Sequence, residues 1–161
     1  MQKHWLHASP WETVLTVNQA LCKAQKLDPT TNARTFDAAR QLWVSAAGRS
    51  LTLKEVLDVF RECREKLPFT FNNGNTFAAI ARTLLESATK KMPPVEEQIL
   101  QTTVCHYIAG LVGKRELLQV LKHFERSLQP EPAHAEAPRP ERVVIAHPAA
   151  APMLAEAHPR A

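Results

Sequence analysis

Proline divides this chain into two unlike parts. Of 12 prolines in 161 residues, Pro130, Pro132, Pro138, Pro140, Pro148, Pro152 and Pro159 fall in the last thirty-two positions, among alanine, glutamate and histidine. A residue with φ fixed and no amide hydrogen interrupts helices and central strands, so no regular element runs through that spacing. The other five, Pro10, Pro29, Pro68, Pro93 and Pro94, stand between apolar-periodic segments. The expectation is a folded domain over 1–129 and a flexible, disordered Pro/Ala-rich tail over 130–161. Charge divides at the same place: 17 Lys and Arg against 12 Asp and Glu before residue 130, and 3 against 4 after it.

Within the first part the apolar residues recur at helical spacing. Ser9-Pro10-Trp11-Glu12 has the grammar of a capping box with proline at the first helical position, and predicts a helix from 10 to about 27. Its apolar positions are Trp11, Val14, Leu15, Leu21, Cys22 and Ala24. A second helix is expected from about residue 33, with Phe36, Ala39, Trp43 and Ala46 in one stripe and Gly48 as a left-handed stop. Thr52-Leu53-Lys54-Glu55 repeats the capping box and opens a helix with Leu53, Val56, Leu57, Phe60, Cys63 and Leu67 inward. Asn75 is expected to cap a fourth helix bearing Phe77, Ile80, Ala81, Leu84, Leu85 and Ala88. Pro93-Pro94 starts a fifth, with Val95, Ile99, Val104, Tyr107, Ile108 and Leu111 as its stripe. Beyond the glycines at 110 and 113, Leu117, Leu121, Phe124 and Leu128 mark a sixth. Strand-like alternation is confined to Phe69-Thr70-Phe71, and no repeat of solenoid length is present. The fold class is all-α, a compact antiparallel bundle of five to six helices.

Composition excludes several classes. No apolar run approaches the roughly 18 residues of a bilayer-spanning helix, and the first residues lack the apolar block of a secretion signal. Cys22, Cys63 and Cys105 are odd in number and far apart, which suits reduced thiols better than a disulfide framework. A cytoplasmic protein is the expectation. The formal net charge of +4 is small for this length and does not by itself imply a polyanion partner.

Two surfaces attract attention. In Pro68–Phe77 the phenylalanines Phe69, Phe71 and Phe77 surround Asn72, Asn73 and Asn75 at a helix entrance. Backbone amides at a helix start and asparagine side chains suit an anion or a peptide backbone, which makes this a candidate partner-binding loop. The same residues also make a turn, with Asn-Gly supplying positive φ and the phenylalanines anchoring the loop in the core. On the sixth helix, Arg115, Gln119, Lys122 and Arg126 share one face opposite the leucines, a candidate nucleic-acid face in helix-turn-helix style. Glu116 and Glu125 flank that ridge, and no aromatic residue is interleaved for stacking.

Catalytic signals are absent. Cys105 and His106 are adjacent, so on a helix their side chains diverge by about 100° and do not form a nucleophile–base pair. His4 and His7 are one turn apart without further ligands nearby, and the phosphate-loop, dinucleotide and HExxH motifs do not occur. No cofactor and no metal is expected. In the tail, Val143, Val144 and Ile145 form an apolar island suited to docking on a partner. These features point to a small non-enzymatic helical interaction or adaptor protein with a tethering tail. The alternative is a regulatory nucleic-acid binder using the sixth helix, and a protein partner is expected before a nucleic acid.

Overall fold

A tryptophan on the second helix organises the core. Trp43 is fully buried and its ring stacks on Phe60 at 5.1 Å between centroids, leans on Phe77 at 6.0 Å and meets Trp11 edge-on at 6.1 Å. Such pairs add to the burial of large rings a geometric preference that fixes how elements cross. The four residues belong to four different helices in a computed structural model that describes residues 2–128, with side chains through residue 125. These helices are α1 (Trp11–Ala24), α2 (Phe36–Ala47), α3 (Leu53–Glu65) and α4 (Asn73–Thr89), followed by α5 (Pro94–Ala109) and α6 (Lys114–Leu128). The fold is all-α, six helices packed against one another, as the periodicity implies.

Helix α3 runs through the middle, touching α2, α4 and α5. Its start follows from the sequence: the Glu55 amide donates to Thr52 Oγ1 at 3.3 Å and the Thr52 amide donates to Glu55 Oε2 at 2.7 Å, a complete capping box. Just before it, β2 (Leu51–Thr52) pairs antiparallel with β1 (Gln2–Lys3). The half-buried Trp5 secures that pairing by donating Nε1–H to the Leu51 carbonyl at 2.9 Å. Trp11 and Trp43 thus meet in the core and Trp5 borders it. Phe60 against Trp43 and Cys63 against the Ala39 carbonyl make α2 and α3 antiparallel, and His123 beside Glu96 does the same for α5 and α6.

Several boundaries depart from expectation for local reasons. Ser9 does not cap α1. Pro10 is extended (ψ 164°) and occupies the cap position itself, which leaves Ser9 one residue too early, and its carbonyl instead accepts Trp43 Nε1–H at 2.9 Å. Helix α2 starts at Phe36 rather than near 33, because the Asn32 carbonyl takes the Thr35 and Phe36 amides in a turn. Gly48 is right-handed (φ −78°), and the left-handed positions are Lys26, Leu67, Asn72 and Gly110. Leu67, past the end of α3, is exposed. On α5 the buried line is Leu100, Val104, Tyr107 and Ile108, while Val95, Ile99 and Leu111 face solvent at 70%, 52% and 76% exposure. Val95 and Ile99 are also one turn apart, so α5 carries two apolar arcs roughly 140° apart at 100° per residue, and spacing alone does not choose between them.

The two central tryptophans differ in one respect. Trp43 Nε1–H has its acceptor, whereas Trp11 Nε1–H is buried among Phe36, Phe69 and Trp43 with none among the described residues. Trp→Phe removes similar volume at both sites, but at Trp43 it also orphans the Ser9 carbonyl. We expect Trp43→Phe to be less stable than Trp11→Phe in urea unfolding, by about 1–3 kcal/mol, the cost of an unsatisfied buried polar group. Equal losses would show that the Trp43 bond contributes nothing.

Candidate binding surface

The Phe69–Phe77 segment is built as a joint. Asn73 closes a ring with Phe69, accepting the Phe69 amide at Oδ1 (3.0 Å) and donating Nδ2–H to the Phe69 carbonyl (2.7 Å). Asn72, at φ +61°, is the cap residue of α4, and its Nδ2 donates to Gln25 Oε1 at 3.1 Å and to Cys22 Sγ at 3.5 Å. The cap therefore falls on Asn72 and not Asn75, whose Nδ2 donates to Asn72 Oδ1 at 3.2 Å. Positive φ is likewise taken by Asn72, leaving Gly74 inside the first turn of the helix. Asparagine tolerates this conformation better than other side chains because it bonds locally. Phe69 stacks on Trp11 at 6.3 Å and Phe77 is buried against Trp43, so both are core residues. Phe71 is 40% exposed. Of the candidate loop, Phe71 and Asn75 face outward, and Phe69, Asn73 and Phe77 hold the fold together.

One residue missed by hydrophobic patterning decides the position of this joint. Asn18 lies in the buried line of α1, which runs Trp11, Val14, Asn18, Cys22, while of the other expected apolar positions Leu15 packs half-buried against the core, Leu21 is half-buried and Ala24 is exposed. Its Nδ2 donates to the Phe71 carbonyl at 2.9 Å and to Thr76 Oγ1 at 3.0 Å, and its Oδ1 faces Cys22 Sγ at 3.8 Å. A buried amide needs such partners, and two of the three, Phe71 and Thr76, lie more than fifty residues away, while Cys22 is one turn on along α1. The result fixes α4 antiparallel to α1 with Leu21 opposite Asn75.

Where that seam meets α5 there is an open furrow of about 440 Å³. Leu21, Ala78 and Ala79 give it an apolar floor, Asn75, Thr102 and His106 line it with polar groups, and Arg82 and Cys105 complete it. A separate, smaller cavity of about 110 Å³, also bordered by Ala79, lies between α1 and α4 beside Thr13, Val17 and Thr83. Two other depressions lie on the outer side of α2 and beside the Leu6–Trp11 segment, the latter bordered by His7 and apart from the candidate loop and the α6 ridge. Burial pushes the Cys105 thiol above its ordinary value, with the Arg82 charge pulling weakly the other way. The thiol thus stays protonated near neutrality, and no hydrogen bond joins it to His106, so the two do not act as a nucleophile and base.

A charged cluster on the opposite edge of α5 was also invisible in the spacing. Tyr107 donates its hydroxyl to Asp58 Oδ1 at 2.6 Å, Lys54 and Lys114 approach Asp58 Oδ2 at 3.0 and 3.6 Å, and the Arg61 guanidinium lies 4.7 Å over the Tyr107 ring. Arg61 also donates to the Val112 carbonyl at 3.2 Å. These contacts clamp α3 to the α5–α6 turn. Burial, then the Asp58 hydrogen bond, pushes the Tyr107 hydroxyl up to about 12. Burial pushes the Asp58 carboxyl upward, but the Tyr107 and Lys54 hydrogen bonds outweigh it and hold the group below its ordinary value.

Elsewhere, Arg115, Gln119 and Lys122 are exposed on α6, opposite buried Leu117, Leu121 and Phe124. Glu116 accepts the Gly113 amide at 3.0 Å as a cap. The Arg126 side chain, and Val143, Val144 and Ile145, lie outside the described residues. His4 and His7 are exposed, and among the described residues no group of three or more His, Cys, Asp or Glu is placed to hold a metal ion. No helix among the described residues is long and apolar enough to cross a membrane. No family model, no curated protein and no solved structure matches this chain.

The Asp58–Tyr107 pair has a pH signature. A folded-state hydroxyl at about 12 against an ordinary 10.0 contributes stability that is present below pH 10 and lost as pH rises towards 12. The lowered Asp58 carboxyl contributes stability present above its ordinary 3.8 and lost as pH falls through its folded value. Cys63, pushed by burial from 9.0 to about 12, adds its own alkaline loss beginning near pH 9. Urea midpoints measured across pH should therefore fall above pH 9, and Tyr107→Phe should flatten the part of that fall above pH 10. Parallel curves for the two proteins would rule out the coupling.

Proposed function

We propose that this chain is a protein-interaction domain of adaptor type, which holds a segment of another protein in the α1–α4–α5 furrow. The observation that carries this is the furrow itself: an apolar floor with hydrogen-bonding walls, of the size that takes a few side chains, set on three regular helices and not on loops. Phe71 extends the surface at the end nearest Asn75. Three free cysteines fit a reducing compartment, in line with a cytoplasmic location. Residues 130–161, with Val143, Val144 and Ile145, serve in this reading as a tether or second docking segment.

A second reading keeps the α6 ridge as a nucleic-acid contact. In its favour, Arg115, Gln119 and Lys122 share an exposed face while the helix is anchored from behind. A photo-crosslinking residue placed at Thr102, on the furrow rim, or at Gln119, on the ridge, separates the two in cells. The expected result is a protease-sensitive adduct from position 102 and none from 119. A nuclease-sensitive adduct from 119 with 102 silent contradicts the interaction-domain proposal, as does silence at both positions.

A further inference from the structure

We propose that the occupant of the furrow is an acidic amphipathic helix of another protein. This rests on the furrow being the docking surface and adds the chemistry of what docks. The walls are helices, which bond their interior backbone amides and carbonyls within themselves and leave only the first-turn amides of α4, at the Asn75 end, without a partner in the helix. Among the described residues no strand edge lines the furrow, so an extended peptide finds no ladder of main-chain partners there, and an occupant satisfies most of its own backbone. A helix does so. Its larger apolar side chains fit over Ala78 and Ala79, whose small size opens the space between Leu21 and Cys105. From Asn75 to Arg82 the furrow runs about 10 Å along α4 at 1.5 Å per residue, so the contacting stretch spans about two turns, with anchors at i, i+3 or i+4, and i+7.

Charge sets the sign of the partner. Among the described residues the furrow is lined by Arg82 and His106 and by no carboxylate. Arg82 has no ion-pair partner among the described residues, and its charge is felt at the Cys105 thiol, which places it beside the furrow. The nearest acid along α4 is Glu86, one turn beyond Arg82 and not among the lining residues. An Asp or Glu next to the apolar anchors therefore meets a free guanidinium, whereas a lysine there meets like charge.

The test is a displayed library of random peptides, about 16 residues each to allow four helical turns, selected on the full chain. Peptides whose binding is lost with Ala79→Trp, which fills the furrow, are kept, and Thr102→Trp on the exposed rim serves if the first variant is unstable. The proposal expects these furrow-dependent peptides to carry a net charge of about −2 or lower with apolar residues at helical spacing. Arg82→Glu should then weaken binding about tenfold or more, while Lys122→Glu, the same change in net charge on α6, alters it by less than about threefold. Furrow-dependent peptides that are neutral or basic overturn the acidic partner while leaving the docking surface intact, as does an equal response to the two charge reversals. Recovery of no furrow-dependent peptide overturns the docking surface as well.

Discussion

A single buried amide sets the geometry on which the proposed docking furrow depends. Asn18 sits on the core side of α1, where the surrounding stripe is apolar, and donates both to the Phe71 carbonyl and to Thr76 Oγ1. Hydrophobic contact alone lets two helices slide with little change in buried area, whereas a buried polar group has to find its partners and so selects one register. With α1 and α4 in this register, Leu21 faces Asn75, Ala79 faces the gap, and Phe71 is held outward while Phe69 and Phe77 turn in. The furrow is what remains where small residues on α4 fail to fill the space between α1 and α5.

The protein treats its charges differently on the two edges of α5. Around Asp58 they are drawn together, with a tyrosine, two lysines and an arginine knitting α3 to the turn between α5 and α6. That arrangement is partly shielded from water, and each group in it has a partner in a neighbouring side chain or carbonyl. Along the furrow, Arg82 and His106 stand without carboxylates among the lining residues, over a floor of Leu21, Ala78 and Ala79. Structural clamps satisfy their charges internally; a recognition surface leaves them for an incoming group. That contrast is the ground for proposing the furrow, and not the Asp58 cluster, as the docking surface.

Local grammar carried the sequence as far as helices and no further. The Thr52–Glu55 box and the Leu117, Leu121, Phe124 stripe were legible because each is settled within one element. The Ser9–Glu12 box was not, since Pro10 takes the cap position and Ser9 answers to Trp43, thirty-four residues away. Asn72 displaced Asn75 as the cap because Gln25 and Cys22 hold its side chain, again a tertiary contact. On α5, Val95 and Ile99 repeat at helical spacing as well as Leu100 and Val104 do, and only the neighbouring helices decide which pair is buried. Asn18 and Asp58 look like ordinary surface residues in a linear reading, yet both are central. The furrow is assembled from three helices, and its residues span Leu21 to His106. Asn75, Cys105 and His106 each stand out singly in the sequence, without any signal in spacing that they adjoin.

Hydrogen–deuterium exchange on Asn18→Ala addresses the central claim most directly. Removing the amide leaves the Phe71 carbonyl and the Thr76 hydroxyl without their donor, a cost of about 1–3 kcal/mol that falls on one joint. The account predicts faster exchange confined to residues 70–77 and the last turns of α1, with α3 and α5 as protected as in the parent protein. Unchanged protection over 70–77, or a uniform loss across all six helices, would contradict it.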